Sequence, residues 1–244
     1  MTGMSSVISD PYLLLWLEGP LQAWGYDSKF GRRDTLPFPT KSGLLGLLCC
    51  ARGAGGPEVP WLQQMAELDL QVAAYVPIAR EESAPVRAPL LRDFHMVGSG
   101  YDAADPWESL LIPKTSDGKK AVGGGTKMTH RYFLQDATFA VALQVPHTEV
   151  DGLVHALQHP VWDIYLGRKC CVPTELIFQG CFEDAEQALA RGVKLAVAKQ
   201  RHRVFQVIQH ADADRGEVLS INDVPVQFGT NKRYRDRQVT LIEG

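Results

Sequence analysis

The sequence predicts an α+β fold, and three observations carry that reading. Tyr12 to Leu17 is a continuous apolar run between Pro11 and Gly19, the mark of a strand buried on both faces. Ala137 to Val145 reads as a second clear strand, and Lys41 to Arg52 and Thr148 to Gln158 read as helices. A glycine-rich, polar stretch from Gly98 to Thr126 interrupts this order, with the look of a long hairpin or arm.

Taken in order, the Tyr12 strand leads into an irregular stretch, Glu18 to Pro39, that holds Trp24, Tyr26 and Phe30. Thr40 then offers an N-cap for the helix that Gly53 closes. Gly43 and Gly46 recur on one side of that helix, suggesting close packing against a sheet. Leu70 to Val76 is the next strand, and Val86 to Val97 another, broken by Pro89. Lys127 to Leu134 returns from the arm. The resulting order, strand–helix–strand–strand–strand–helix with an insertion, fits a ferredoxin-like (RRM-like) αβ sandwich. After Pro160 the elements shorten to a helix at Asp184 to Lys194 and strands at Val204 to Ile208 and Gln238 to Ile242. The expected division is therefore a first domain over residues 1–159, with the arm at about 98–126, and a smaller, mostly β region over 160–244.

Composition sets bounds on function. The chain has 244 residues, 45% hydrophobic and 22% charged, enough for a sizeable core. Without a membrane-length apolar run or a signal peptide, it is expected to stay in the cytoplasm, away from membranes. The five cysteines lack a C-x-x-C pair and read as reduced, mostly buried thiols; no cofactor or metal is expected. A net charge of −3 argues against a generic nucleic-acid binder. The cations are clustered, however: Lys29, Arg32 and Arg33; Arg168 and Lys169; and four within Gly229 to Gln238. A binding face assembled from separated segments would escape the whole-chain charge.

Several groups could carry chemistry. Thr40-Lys41-Ser42-Gly43 lacks the glycines of a P-loop, so it is either a phosphate cradle at a helix N-terminus or an ordinary capped helix. Trp24, Tyr26 and Phe30 interleave with Lys29, Arg32 and Arg33, as in single-stranded RNA binding or in a packed surface loop. His155 and His159 are spaced like metal ligands, but no third ligand has motif spacing. His95 and His130 flank the arm and could meet across its base, where a base and an acid suffice for metal-free RNA cleavage. A phosphate-bonding or satisfied histidine is the alternative at each position.

An ordered series of segments identifies a family. L-L-L-W-L-E-G-P-L-Q-A-W-G (Leu13 to Gly25) and F-P-T-K-S-G-L-L-G-L-L (Phe38 to Leu48) closely resemble the opening of the CasD family of type I-E CRISPR systems. D-F-H-M-V (Asp93 to Val97), R-Y-F-L-Q-D-A-T-F-A-V-A-L (Arg131 to Leu143), Y-L-G-R-K (Tyr165 to Lys169) and P-V-Q-F-G with R-Y-R-D-R (Pro225 to Arg237) follow in the same order. Met96, where threonine is frequent, and Cys171 depart from the pattern.

The resemblance implies a RAMP-superfamily domain whose arm is a projecting β-hairpin thumb. It implies a non-catalytic Cascade subunit in antiviral defence that grips the 5′ handle of the CRISPR guide RNA. Its neighbours would be the last backbone subunit and the large PAM-reading subunit, with target DNA met only within the complex. Lys41 and Ser42 would then touch handle phosphates or splayed bases, and Trp24 and Tyr26 would stack on a base or wall the handle pocket. Arg32, Arg92, Arg131, Arg168 and Lys169 would neutralise phosphates, and His95 would hydrogen-bond RNA. Lys119, Lys120 and Lys127 would meet guide backbone from the thumb. The competing expectation is a metal-independent endoribonuclease acting through His95 and His130.

Overall fold

The computed structural model describes residues 9–26, 28, 31–78, 87–97, 115–119 and 127–244. It is a mixed α/β fold built on a large antiparallel sheet. The apolar run forms β1 (Tyr12–Glu18), whose five central residues are all buried. It takes antiparallel partners on both sides, β7 (Thr138–Gln144) and β8 (Phe178–Phe182), which is why its side chains are apolar on both faces. β4 (Leu70–Pro77) pairs with β7, and then follow β9 (Arg201–Gln209), β11 (Arg233–Glu243) and β10 (Glu217–Gln227). The order is β10-β11-β9-β4-β7-β1-β8. Residues 160–244, expected as a smaller region of their own, thus contribute four strands to this same sheet. Their share of the core, Val207, Ile221 and Val239, is continuous with that of β1.

Helices cover both faces. On one side α1 (Lys41–Arg52), α2 (Val59–Ala66) and α3 (Val150–Gln158) press Leu44, Leu48, Leu62, Met65 and Leu153 against Leu13, Leu15, Val141 and Leu143. On the other side α4 (Ala185–Ala198) lays Ala185, Ala188 and Ala196 on Leu14, Trp16, Ala73, Tyr75 and Ala142. Each fully buried leucine or phenylalanine contributes about 2 kcal/mol. The small residues let α4 sit close: a Cβ added at Gly192 would lie 2.7 Å from that of Ala140.

α1 starts and stops where its residues dictate. The Thr40 hydroxyl accepts from Gly43 N at 3.1 Å, and Gly53 takes the left-handed conformation, its N–H returning to Cys49 and Cys50 carbonyls. The expectation about its glycines is corrected: Gly43 packs on the Trp24 ring, not on a sheet, and Gly46 faces open space. Among the elements with no counterpart in the sequence reading are α2, the edge strand β8 and the long β10. α2 buries only Trp61, Leu62 and Met65, and β10 contains Pro225. The register of β10 against β11 shifts between Asn222 and Val224 and again between Pro225 and Gln227.

A small second sheet stands beside the first. β6 (Lys127–Gln135) is its spine, with β5 (Leu91–Val97) antiparallel on one side. On its other side lie β2 (Leu21–Gln22), antiparallel, and β3 (Arg32–Arg33), parallel. The cysteines are free; Cys49 and Cys171 are buried, but Cys170 and Cys181 are exposed, so burial is less general than expected. No helix among the described residues is long and apolar enough to cross a membrane.

Candidate nucleic-acid interface

The small sheet gathers most of the expected cations, and its register sorts them by face. Directly paired residues share a face of the ribbon. Arg92 pairs with Tyr132, Phe94 with His130, and Met96 with Met128, while Arg32 on β3 lies opposite His130. This outer face is open, with Phe94 50%, Met96 56% and Met128 60% exposed. Aromatic rings and cations interleave on it. The Arg32 guanidinium sits 4.9 Å over the Tyr132 ring and engages Asp34 through Nε, and the Phe94 and His130 rings are 5.3 Å apart. The sequence reading missed Phe94, Met96, Met128 and Tyr132. The period-two alternation of β5 and β6 was the signal that could have found them.

The inner face carries Asp93, His95, Thr129, Arg131 and Arg33. The His95 ring contacts the Asp93 carboxylate, and Arg131 Nε reaches Thr129 Oγ1 at 3.4 Å. His95 and His130 therefore point to opposite faces. The approach of these two rings expected across the base of the arm is corrected by this register, which sets them on opposite faces of the ribbon.

Arg168 holds the sheet together. Its guanidinium donates to the carbonyls of Tyr132 (3.1 Å) on β6 and Arg33 (2.9 Å) on β3, 4.6 Å over the Phe133 ring. Burial pushes its pKa down from the ordinary value. Its expected role as a phosphate ligand is corrected to that of a pin between two strands. Gly167 makes this possible, since its positive φ and its approach to the Ala23 carbonyl leave no room for a Cβ.

Two further expectations are overturned by burial. Lys41 is 0% exposed. Its ammonium donates to the carbonyls of Ala66 (2.7 Å) and Leu68 (2.6 Å) and to Gln209 Oε1 (3.3 Å), so it faces no phosphate. Burial, with Arg237 nearby, pushes its pKa down to about 7, against the opposing pull of Asp223, Glu67 and Asp69. The N-terminus of α1 is also taken: Lys41 N donates to Asp223 Oδ2 at 2.7 Å, and Arg237 Nε holds Asp223 Oδ1 at 2.7 Å. The cradle is filled by the protein's own carboxylate. Trp24, 1% exposed, stacks on no base; its indole donates to Gln22 Oε1, and Gln22 Nε2 in turn bonds the carbonyls of Leu17 and Ala137.

The other expected residues lie apart. Tyr26 is exposed and, with Gly25, Ser42, Asn222 and Tyr234, lines a cavity of about 250 Å³. Asn222 and Tyr234 were not singled out from the sequence. Lys169 is exposed at the rim of a larger groove, about 1030 Å³, walled by Val161, Trp162, Val172 and Leu176. Lys119 is exposed in the turn at 115–119, and Lys127 begins β6 opposite Val97. Lys120 and the rest of the expected thumb, about 98–126, fall outside the described residues. The His155 and His159 rings are 5.0 Å apart, and among the described residues no cluster of three metal-ligating side chains forms.

Known proteins share this architecture. The profile of the family described as "CRISPR-associated protein (Cas_Cas5)" matches residues 12–240. The "CRISPR system Cascade subunit CasD" of Escherichia coli (strain K12) is 34% identical over 183 residues, 73% of this chain and 75% of that protein. A chain of a "CRISPR RNA-guided surveillance complex" superposes with a TM-score of 0.66 at 30% identity, covering 95% of this chain and 89% of that one. A structure titled "Crystal structure of Cas protein" gives 0.57 at 25% identity, over 96% and 94% of the two chains. With a profile spanning nearly its whole length and a relative at that identity, the chain belongs to the CRISPR-associated Cas5/CasD family.

Proposed function

We propose that this chain is a subunit of a CRISPR Cascade surveillance complex that binds and caps the 5′ handle of the guide RNA without cleaving it. It joins the backbone filament to the large PAM-reading subunit, in the cytoplasm, within a type I-E system. The observation that carries the reading is the outer face of the small sheet, where Arg32, Arg92, Phe94, His130 and Tyr132 interleave cations with aromatic rings. Rings stack on unpaired bases while guanidinium groups engage phosphates, the combination single-stranded RNA selects. The likeness to CasD supports the assembly. The strand order β4-β7-β1-β8, with α1 and α3 in the two crossovers, supports a ferredoxin-like RAMP domain. The competing reading, metal-free cleavage of repeat RNA, loses its acid–base pair to the opposed faces of His95 and His130.

The test is binding of labelled guide RNA, with and without its 5′ handle, by purified protein in EDTA. Handle-dependent binding of intact RNA is expected. Arg92→Ala should weaken it and lower the slope of log K against log salt by about one. Cleavage of repeat RNA, or binding indifferent to the handle, overturns the proposal.

A further inference from the structure

The turn that carries the Arg168 pin also carries two adjacent thiols. Leu166 N donates to Cys171 O at 2.7 Å and Cys171 N donates to Arg168 O at 2.8 Å, so residues 166–171 close on themselves. Cys170 is exposed, Cys171 is 0% exposed, and their thiols hydrogen-bond one another. Burial, with the neighbouring Cys170 adding to it, pushes the Cys171 thiol up to about 12, so Cys171 keeps its proton at neutral pH. Solvent reaches one sulfur of the pair, and the other stands beside it.

A bridge between adjacent residues differs from a structural disulfide. Their Cα atoms are about 3.8 Å apart across a trans peptide, below the roughly 4.4–6.8 Å of most bridges. A bond closed there is strained, and strained or exposed disulfides are the readily reduced ones that regulate rather than stabilise.

We infer that Cys170 and Cys171 form a reversible disulfide when the chain meets a hydroperoxide, and that this bond slackens the Arg168 pin. The Cys170 sulfur attacks a peroxide oxygen, becoming a sulfenic acid and releasing water. The Cys171 sulfur then displaces the sulfenic hydroxyl, which leaves as a second water with the Cys171 proton. Two thiols lose two electrons to one hydrogen peroxide, and a thiol reductant returns them. Because Cys171 holds its proton, the second step is the slower. Ring closure reaches the pin through the backbone. The small ring includes the peptide between the two cysteines and turns its plane, and that peptide's N–H is the donor to Arg168 O. Without that bond Arg168 loses its fixed place, and its guanidinium is what joins β3 to β6. The effect on RNA rests on the RNA-binding reading above; the bond and the loosened sheet do not.

The experiment treats the full chain with hydrogen peroxide, quenches with catalase, alkylates, and reads the products by peptide mapping. The peptide holding residues 170 and 171 should lose two hydrogens and regain them with dithiothreitol. In Cys171→Ala, dimedone should trap a sulfenic acid on Cys170, whereas Cys170→Ser should give neither product. Exchange of the His130 N–H, which donates to Gly31 O beside β3, should quicken severalfold on oxidation of the wild type. Oxidised wild type should also bind guide RNA severalfold more weakly, and dithiothreitol should restore it. Cys170→Ser keeps the exposed Met96 and Met128, so its unchanged exchange and binding under peroxide separate the bond from methionine oxidation. Peroxide that leaves the 170–171 peptide unaltered, or joins Cys170 to Cys50 or to a second chain, overturns the inference. A Cys170–Cys171 bond that leaves His130 exchange or wild-type RNA binding unchanged overturns it too. Wild type that forms the bond and loosens the sheet, yet binds no handle RNA even when reduced, overturns the RNA-binding reading and upholds the disulfide.

Discussion

Lys41 turns its charge inward, and that has a measurable consequence. The three acceptors around its ammonium match the three donors of the charged amine. Lys41→Met would leave those acceptors buried and unpaired, and should cost about 3 kcal/mol in a urea melt. The pH dependence has a definite sign. The folded pKa, about 7, lies below the unfolded lysine value, so between the two the unfolded chain binds the extra proton. The burial penalty is fully present below pH 7 and is relieved as pH rises toward the unfolded value. The stability of the wild type relative to Lys41→Met should therefore grow above pH 7, by at most about 1.4 kcal/mol per pH unit. A flat difference across that range would place the Lys41 pKa outside it. Sequence could locate this lysine at a helix start but not aim it. Its direction depends on Asp223, 182 residues away in the chain, and on Gln209. Trp24 misled for the same reason, because an aromatic among cations reads alike whether its ring is outside or under a helix.

At the scale of elements, the family segments turn out to be mostly architecture. Leu13 to Gly25 supplies β1, the buried Gln22 and the Trp24 that floors α1. Tyr165 to Lys169 supplies Gly167 and the Arg168 pin. Gly167→Ala should drive a Cβ into the Ala23 carbonyl at a positive φ and cost about 3 kcal/mol, seen as a lowered Tm. The same variant should loosen β3 from β6, read as faster hydrogen exchange at His130, whose N–H donates to Gly31 O. The long periodic elements, β1, α1, β4 and β7, were legible in the sequence to within a residue or two. α2 and β10 are among the elements that were not. One is two turns long with three buried residues, and the other carries a proline and two register shifts that break its alternation. Arg32 and Arg92 were legible as candidate ligands because exposure is the default for arginine. The face they share with Phe94 and Tyr132 became visible only through the pairing of β3, β5 and β6.

For the whole molecule, the boundary expected near residue 160 was drawn from a change in element length. The sheet crosses it: β9 pairs with β4 through six residues, and β10 carries the carboxylate that caps α1. A chain ending at residue 200 would lose β9, β10 and β11, uncover Val72 and Ala74, and strip Lys41 of Gln209 and α1 of Asp223. Such a chain should give no cooperative thermal transition by circular dichroism; a sharp melt would show that residues 1–200 fold alone.

The two outermost strands bear on stoichiometry. At one end β10 is kinked by two register shifts and contains Pro225, which has no N–H to offer. At the other, β8 is five residues long and loses register with β1 between Leu14 and Leu15. Bent, short and donor-poor edges are weak templates for strand addition. Neither edge invites a copy of this chain to add a strand, so association of the chain with any neighbour is left to its side chains.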